Sequence, residues 1–324
     1  MTQPYSPTPF ATPVINPAVG GAGAPIPYLS ISQYKYAPTA MDTSDLVVSG
    51  TAADQDRALA DTLRRASAWA DRICFGADAA AKGASLAATL SVQVAQVPVL
   101  GRQLRLVCDY KPVIQVNGID LGPSMNALAP LADPTGIRIG RRTIYVPLSA
   151  GIVGRDNGAF TFSTAGSSYA VVWSYVNGYP HTQLASAVTA GSSTVNVAAT
   201  DGGTGLLGVL NGMRMTIVDG VDTETFVVAS VSGTTITTAT PLLYDHALPA
   251  APDFLPVTSI PSDVEEAVIL LSTVLIKTRG DNSLVLEELT APEKEQDSGG
   301  DEFTDLKVAM SMLAPYQVRI KAGR

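Results

Sequence analysis

Charge is scarce in this 324-residue chain, at 15 %, and cysteine and histidine are scarcer still, with two of each. With so few charges the mean hydropathy reaches +0.21. That favours surface buried against other subunits, although a larger core gives the same figures. Two histidines leave little for a metal centre, and a Ser-His-Asp triad would have to use one of them. No Gly-x-Ser-x-Gly elbow and no G-x-x-x-x-G-K-[ST] phosphate loop occurs. A basic stripe is missing too: net charge is −8 and the sequence pI about 4.8. The pairs Arg64-Arg65 and Arg141-Arg142 read as helix-surface and strand-edge charges, so gripping DNA by its phosphates is a poor expectation. No apolar run reaches the roughly 18 residues of a membrane span.

The first basic residue is Lys35, so the start does not read as a secretory signal, and a cytoplasmic site of synthesis and assembly is expected. Cys74 falls in a helical apolar pattern and Cys108 in a strand-like one. Both read as small core residues, with a bridge between them left open.

What the chain does have is punctuation. Residues 1–28 are rich in Pro, Gly and Ala and carry no charged side chain. They suit neither a helix nor a continuous strand, and read as a flexible arm or one laid extended on a neighbour through Tyr5, Phe10, Val14 and Ile15. A short helix is expected from about Ser32 to Pro38. A longer one follows Thr51-x-x-Asp54, a capping-box pattern with Asp for Glu. Leu59, Leu63, Ala66, Ala70 and Ile73 then form its apolar stripe, and Gly76 ends it.

From about 86 to 176 the period is that of strands, in runs such as RLVCDY, TIYVPL and YAVVWSYV. Residues 181–256 are strand-like as well, but Thr and Val replace aromatics, and Asn211-Gly212, Asp219-Gly220 and Ser232-Gly233 mark turns. Ser262-x-x-Glu265 after Pro261 suggests a second capping box, opening a helix that Gly280 stops and that is apolar nearly all round, hence packed on more than one side. Phe303, Leu306, Met310 and Leu313 suggest a last short helix before Pro315. The expected class is α+β: a small helical core with β-strands in 29–180 and 257–324, an arm at 1–28, and an inserted all-β barrel or sandwich at 181–256. Deleting the insertion is expected to leave a folded remainder.

Candidate chemistry is thin. Gly203-Thr204-Gly205-Leu206-Leu207-Gly208 has the letters of a dinucleotide fingerprint, but Asn211-Gly212 breaks the chain where a helix is needed, so a glycine-rich turn is expected. His181 and His246, beside Asp245, flank the insertion and read as polar residues on a junction surface. Asp219, Asp222 and Glu224 around a turn are the remaining ion-site candidates, without EF-hand spacing. No catalytic residue, cofactor or metal is expected.

In order along the chain, YLSISQYKYAPTAMD, ADQDRALADTLRRASAWADRICFG, RLVCDYKPVIQVNGIDLG, TIYVPL, VVWSYVNGYP and IPSDVEEAVILLSTVLIKTRG resemble the head-to-tail connector (adaptor) proteins of long-tailed bacteriophages. The likeness covers roughly half the chain; the arm and the 181–256 insertion depart from it. It implies a non-enzymatic virion protein of the neck, assembled in the host cytoplasm. About twelve copies would form a ring between the portal protein and a tail-side stopper or terminator protein. Packaged DNA would pass through without sequence-specific binding, and no membrane is involved. Portal docking in such proteins often uses C-terminal residues, which here implies Phe303, Leu306, Met310, Leu313 and Tyr316, with core packing in the same subunit as the alternative. A β-rich surface module binding glycan or protein is the second functional expectation. A nucleotide-dependent enzyme using 203–208 is the third.

Overall fold

The computed structural model describes residues 26–39, 41–76, 83–100, 103–131, 134–148, 152–153, 159–160, 168–278 and 301–318. The chain is α+β, 26 % helical and 33 % strand, with two curled antiparallel sheets, so neither element type dominates. Contacts divide it into two compact units: one contains Ala87–Tyr179, the other Ala22–Leu86 together with Pro180–Gln317.

The first unit is a sheet. Its strands are β1 (Thr89–Leu100), β2 (Gln103–Val107), β3 (Val113–Gly122), β4 (Ala129–Pro130), β5 (Arg138–Ile139) and β6 (Thr143–Pro147). A two-stranded pair, β7 (Ile152–Val153) and β8 (Ala159–Phe160), stands apart, and β9 (Ser168–Asn177) completes the sheet in the order β4-β3-β9-β1-β2-β6-β5. β1 pairs with β9 from Thr89 to Pro98 and only at Val99 and Leu100 with β2. One strand thus serves two partners in turn, which curls the sheet around its core. Alternation sends Val171, Trp173 and Tyr175 of β9 inward to meet Val116 and Ile119 of β3 and Leu104 and Leu106 of β2. Cys108 joins that core as a free thiol, and burial pushes its pKa up to about 12.

The second unit has a helical layer and a barrel. Helix α1 (Ile31–Tyr36) opens on a capping box: the Ser30 hydroxyl accepts from Gln33 N while the Gln33 side chain accepts from Ser30 N. Helix α2 (Ala52–Phe75) opens on the Thr51–Asp54 box, with both reciprocal bonds formed. It buries Leu59, Leu63, Ala66, Ala70 and Cys74, the last in no disulfide. Gly76 ends it at φ +82°, a conformation a side chain would strain.

Helix α3 (Ser262–Lys277) packs against both α2 and α4 (Asp301–Leu313). Two packed sides account for its apolar breadth. The expected Ser262–Glu265 box does not form. Pro261 takes the N-cap position without a side-chain cap bond, and Ser262 is already inside the helix and exposed. Glu265 is instead partly buried, and that burial pushes its pKa up to about 7. No described helix is long and apolar enough to cross a membrane.

The barrel comprises β10 (His181–Gln183), β11 (Thr194–Asn196), β12 (Arg214–Ile217), β13 (Glu224–Ser232), β14 (Thr235–Thr238) and β15 (Pro256–Thr258), in the order β10-β15-β12-β13-β14-β11. The outer strands of that order meet: Ala185 N donates to Asn196 O and Ala198 N to Gln183 O, both at 2.9 Å. Closure removes the two sheet edges. Val195, Val197, Met215, Ile217, Phe226, Val228, Ile236 and Val257 fill the interior. The strand β9 thus runs not into a helix but, through Gly178 at φ +97°, into the first strand of this barrel.

Candidate functional site

A groove of about 1010 Å³ lies within the second unit, between α2, the chain leading into α1, and the barrel. Leu29 and Leu63 form part of its floor from the helical side, and Leu184, Ala198, Pro249 and Phe254 line it from the barrel side. Four charged residues border it, and each is already partnered. Asp61 pairs with Arg64 and with Arg65 at 3.1 Å, and Arg57 lies 3.5 Å from Asp54. Asp253 accepts from Ile31 N at 2.8 Å, Ser32 N at 3.2 Å and the Ser32 hydroxyl, so it caps α1 from the barrel side. The groove is therefore apolar in much of its wall and charged at its rim, where the Arg57 side chain stays 73 % exposed.

Its near end is fixed by Pro27 and Tyr28. The Tyr28 hydroxyl donates to Asp71 Oδ1 at 2.6 Å and lies 2.7 Å from the Ser85 hydroxyl, while Leu86 N donates to Asp71 at 2.9 Å. Burial outweighs these bonds and pushes the Asp71 pKa up to about 6. On the other side, His181 Nε2 donates to the Pro27 carbonyl at 2.8 Å, which fixes the tautomer, and Nδ1 lies 3.1 Å from the Thr258 hydroxyl, whose proton it accepts. The imidazole also meets the Tyr28 ring edge-on at 5.7 Å. Burial pulls its pKa down to about 4.

The histidines are thus not surface residues, as expected from their flanking positions, but buried at 6 % and 0 % exposure. They serve separate places. His246 sits in the barrel with Nδ1 3.0 Å from Asp219 Oδ2 and Nε2 2.9 Å from Glu224 Oε1. The two carboxylates lie at opposite ring nitrogens, so they do not converge on one point with the imidazole. Glu224 also accepts from Leu243 N at 2.9 Å. Two of the three acidic residues considered for a loose cation are engaged this way, and no group placed to hold a metal occurs among the described residues.

The Gly203–Gly208 stretch is a turn between barrel strands. Gly203 N and Gly205 N both donate to Asp201 Oδ1, at 2.8 and 3.0 Å, so the loop's amides already hold an anion of the chain's own. β12, not a helix, follows.

Of the C-terminal residues, Leu306 and Leu313 are buried at 5 % and 0 %, Met310 and Tyr316 are partly buried, and the Phe303 side chain lies outside the described residues. Helix α4 runs antiparallel to α3: Lys277 bonds Asp305 at 3.0 Å, and the Tyr316 hydroxyl donates to Asp263 at 2.7 Å. Among its described side chains, the large apolar one that α4 leaves exposed is Val308, at 38 %. A second apolar surface lies in the sheet unit, where Leu90, Val92 and Val94 alternate along β1 at 40, 39 and 57 % exposure. The sequence reading missed the groove and the two buried histidine clusters. Their parts are separated by up to about two hundred positions, and no local pattern links them.

A scan against protein-family models finds no match, and a search of curated proteins finds none.

Proposed function

We propose that this chain is a structural, non-enzymatic subunit of a virion neck, in which copies form a connector-like ring joining the portal and capsid to the tail and extending the DNA channel. The observation that carries this reading is the apolar stripe of Leu90, Val92 and Val94 on β1. Among the described residues, the edge of β1 away from β9 has no strand partner from Thr89 to Pro98. An exposed apolar strand with an open edge is a surface for another chain. The ordered likeness to connector proteins and the −8 charge, which keeps packaged DNA from adhering to an acidic ring, support the same reading. Helix α4 remains the portal-facing element, offering Val308 and the partly exposed Met310.

Co-sedimentation with purified portal rings from the same source, with stoichiometry read by native mass spectrometry, tests it. Binding at about one chain per portal subunit is expected, and Val308→Asp should weaken it. No binding across salt and concentration would sink the connector reading. The closed barrel supports a second reading, a β-rich module binding glycan or protein, and glycan-array binding without portal binding would favour that one.

A further inference from the structure

We propose that the end of the barrel beside α1 is a docking surface for a basic protein partner, one that presents apolar side chains ringed by lysine or arginine. The inference does not depend on the ring reading.

Three segments meet at that end. Gly220 backs onto Tyr36 at the close of α1: a Cβ built on that glycine would lie 3.7 Å from the Tyr36 ring. Glu224, where β13 begins, accepts from Leu243 N at 2.9 Å and from Tyr244 N at 3.4 Å. His246, fully buried, joins Asp219 before the turn to Glu224 after it. The side chains that these bonds leave outside are apolar. Tyr36 is 78 % exposed, Val221 94 %, Leu243 73 % and Tyr244 42 %. Apolar groups gathered within a polar rim mark a surface for another protein. The buried imidazole and carboxylates hold the 219–223 turn and the 243–246 segment in place before a partner arrives, which lowers the entropy lost on docking.

Charge selects the partner. Asp222 and the exposed Asp245 border the patch, and Asp245 accepts from Ala190 N at 2.7 Å. The barrel supplies no basic side chain to answer them. Residues 156–276 hold a single lysine or arginine, Arg214, and it opens β12 at the end away from the turn. Lys35, beside Tyr36, is paired with Asp56 at 2.5 Å. A second copy meeting this face symmetrically would bring the same acidic rim and be repelled. Nucleic acid and anionic lipid are disfavoured on the same ground. Val221 and Leu243 offer a sugar neither a hydrogen bond nor an aromatic face. A protein surface with lysine or arginine around apolar side chains matches both the patch and its rim.

The probe is a helical peptide of leucine and lysine, about 15 residues long with leucine on one face, titrated into the full-length chain at about 0.15 M salt. Its counterpart carries glutamate in place of lysine. The lysine peptide should bind and slow amide exchange at Val221–Thr223 and Leu243–Asp245. Val221→Ser combined with Leu243→Ser keeps every charge and should weaken binding on the order of tenfold. Asp222→Asn combined with Asp245→Asn should weaken it and flatten its salt dependence. Val107→Ser, at a site 51 % exposed in the sheet unit, should leave it unchanged. No binding, equal affinity for the two peptides, or binding that survives the paired serine substitutions would overturn the proposal. Protection of the patch that grows with protein concentration in the absence of peptide would also overturn it, by giving the surface to a second copy. Portal co-sedimentation reports on the ring reading alone and can fail without touching this result.

Discussion

His181 is a neutral imidazole in a place where a proton is unwelcome. Its Nε2 hydrogen is committed to the Pro27 carbonyl and its Nδ1 lone pair to the Thr258 hydroxyl, so a second proton would break the bond to Thr258 and charge a buried ring. With the folded pKa lowered from 6.5 to about 4, the native state resists protonation. Its contribution is fully present above pH 6.5 and is lost as pH falls through about 4, up to roughly 3 kcal/mol at 1.36 kcal/mol per unit. Asp71 has the opposite sign. Its pKa is raised from 3.8 to about 6, so its contribution is present below 3.8 and lost as pH rises through about 6. His181→Gln keeps an amide hydrogen for Pro27 and removes the titration. Urea midpoints between pH 6.5 and 4 should fall less for the variant than for the parent chain. Parallel curves would mean that this ring is not what makes the fold acid-sensitive. None of this was legible in the sequence, where a histidine next to a proline at a strand boundary looks like surface. Burial there depends on Tyr28 and Thr258, far away along the chain.

At the scale of elements, two similar sequence signals have opposite fates. Thr51-x-x-Asp54 forms both bonds of a capping box: Thr51 N donates to Asp54 Oδ2 at 3.0 Å and Asp54 N to Thr51 Oγ1 at 3.3 Å. Ser262-x-x-Glu265 forms neither, because Pro261, with extended backbone at φ −62° and ψ 142°, occupies the cap position and leaves Ser262 inside the first helical turn. Thr51→Ala should therefore cost about 1 kcal/mol of unfolding free energy. Ser262→Ala should stay within about 0.5 kcal/mol, and equal losses in denaturant titrations would contradict the cap assignment. Periodicity, by contrast, was a good guide. The Leu59-Leu63-Ala66-Ala70 stripe is buried because packing follows helical spacing directly, and the breadth of apolar residues on α3 announced two packing partners. A pattern of letters fixes which face is apolar; whether a cap forms depends on one backbone angle that the letters do not carry.

On the scale of the whole second unit, the barrel is stitched to the helices at points that its sequence conceals. Asp253, just before β15, caps α1; His181 in β10 holds Pro27; Leu29 and Leu63 face barrel residues across the groove. Read from composition, residues 181–256 are an insertion whose removal leaves the rest folded. These ties make a different outcome the expected one. Excision of 182–254 takes away β11 to β14 and all of β10 but His181, strips α1 of its acceptor at Ile31 N and Ser32 N, and bares the apolar groove floor. Hydrogen exchange on the intact chain should show barrel amides such as Ile236 and α3 amides such as Leu271 opening with the same free energy, as one cooperative unit. In the excised chain, α1 amides should lose protection and α2 should exchange faster than in the parent. If instead the excised chain keeps the native exchange pattern of α1, α2 and α3, the barrel is an autonomous insertion. The contacts through Asp253 and His181 would then be dispensable to the fold around them.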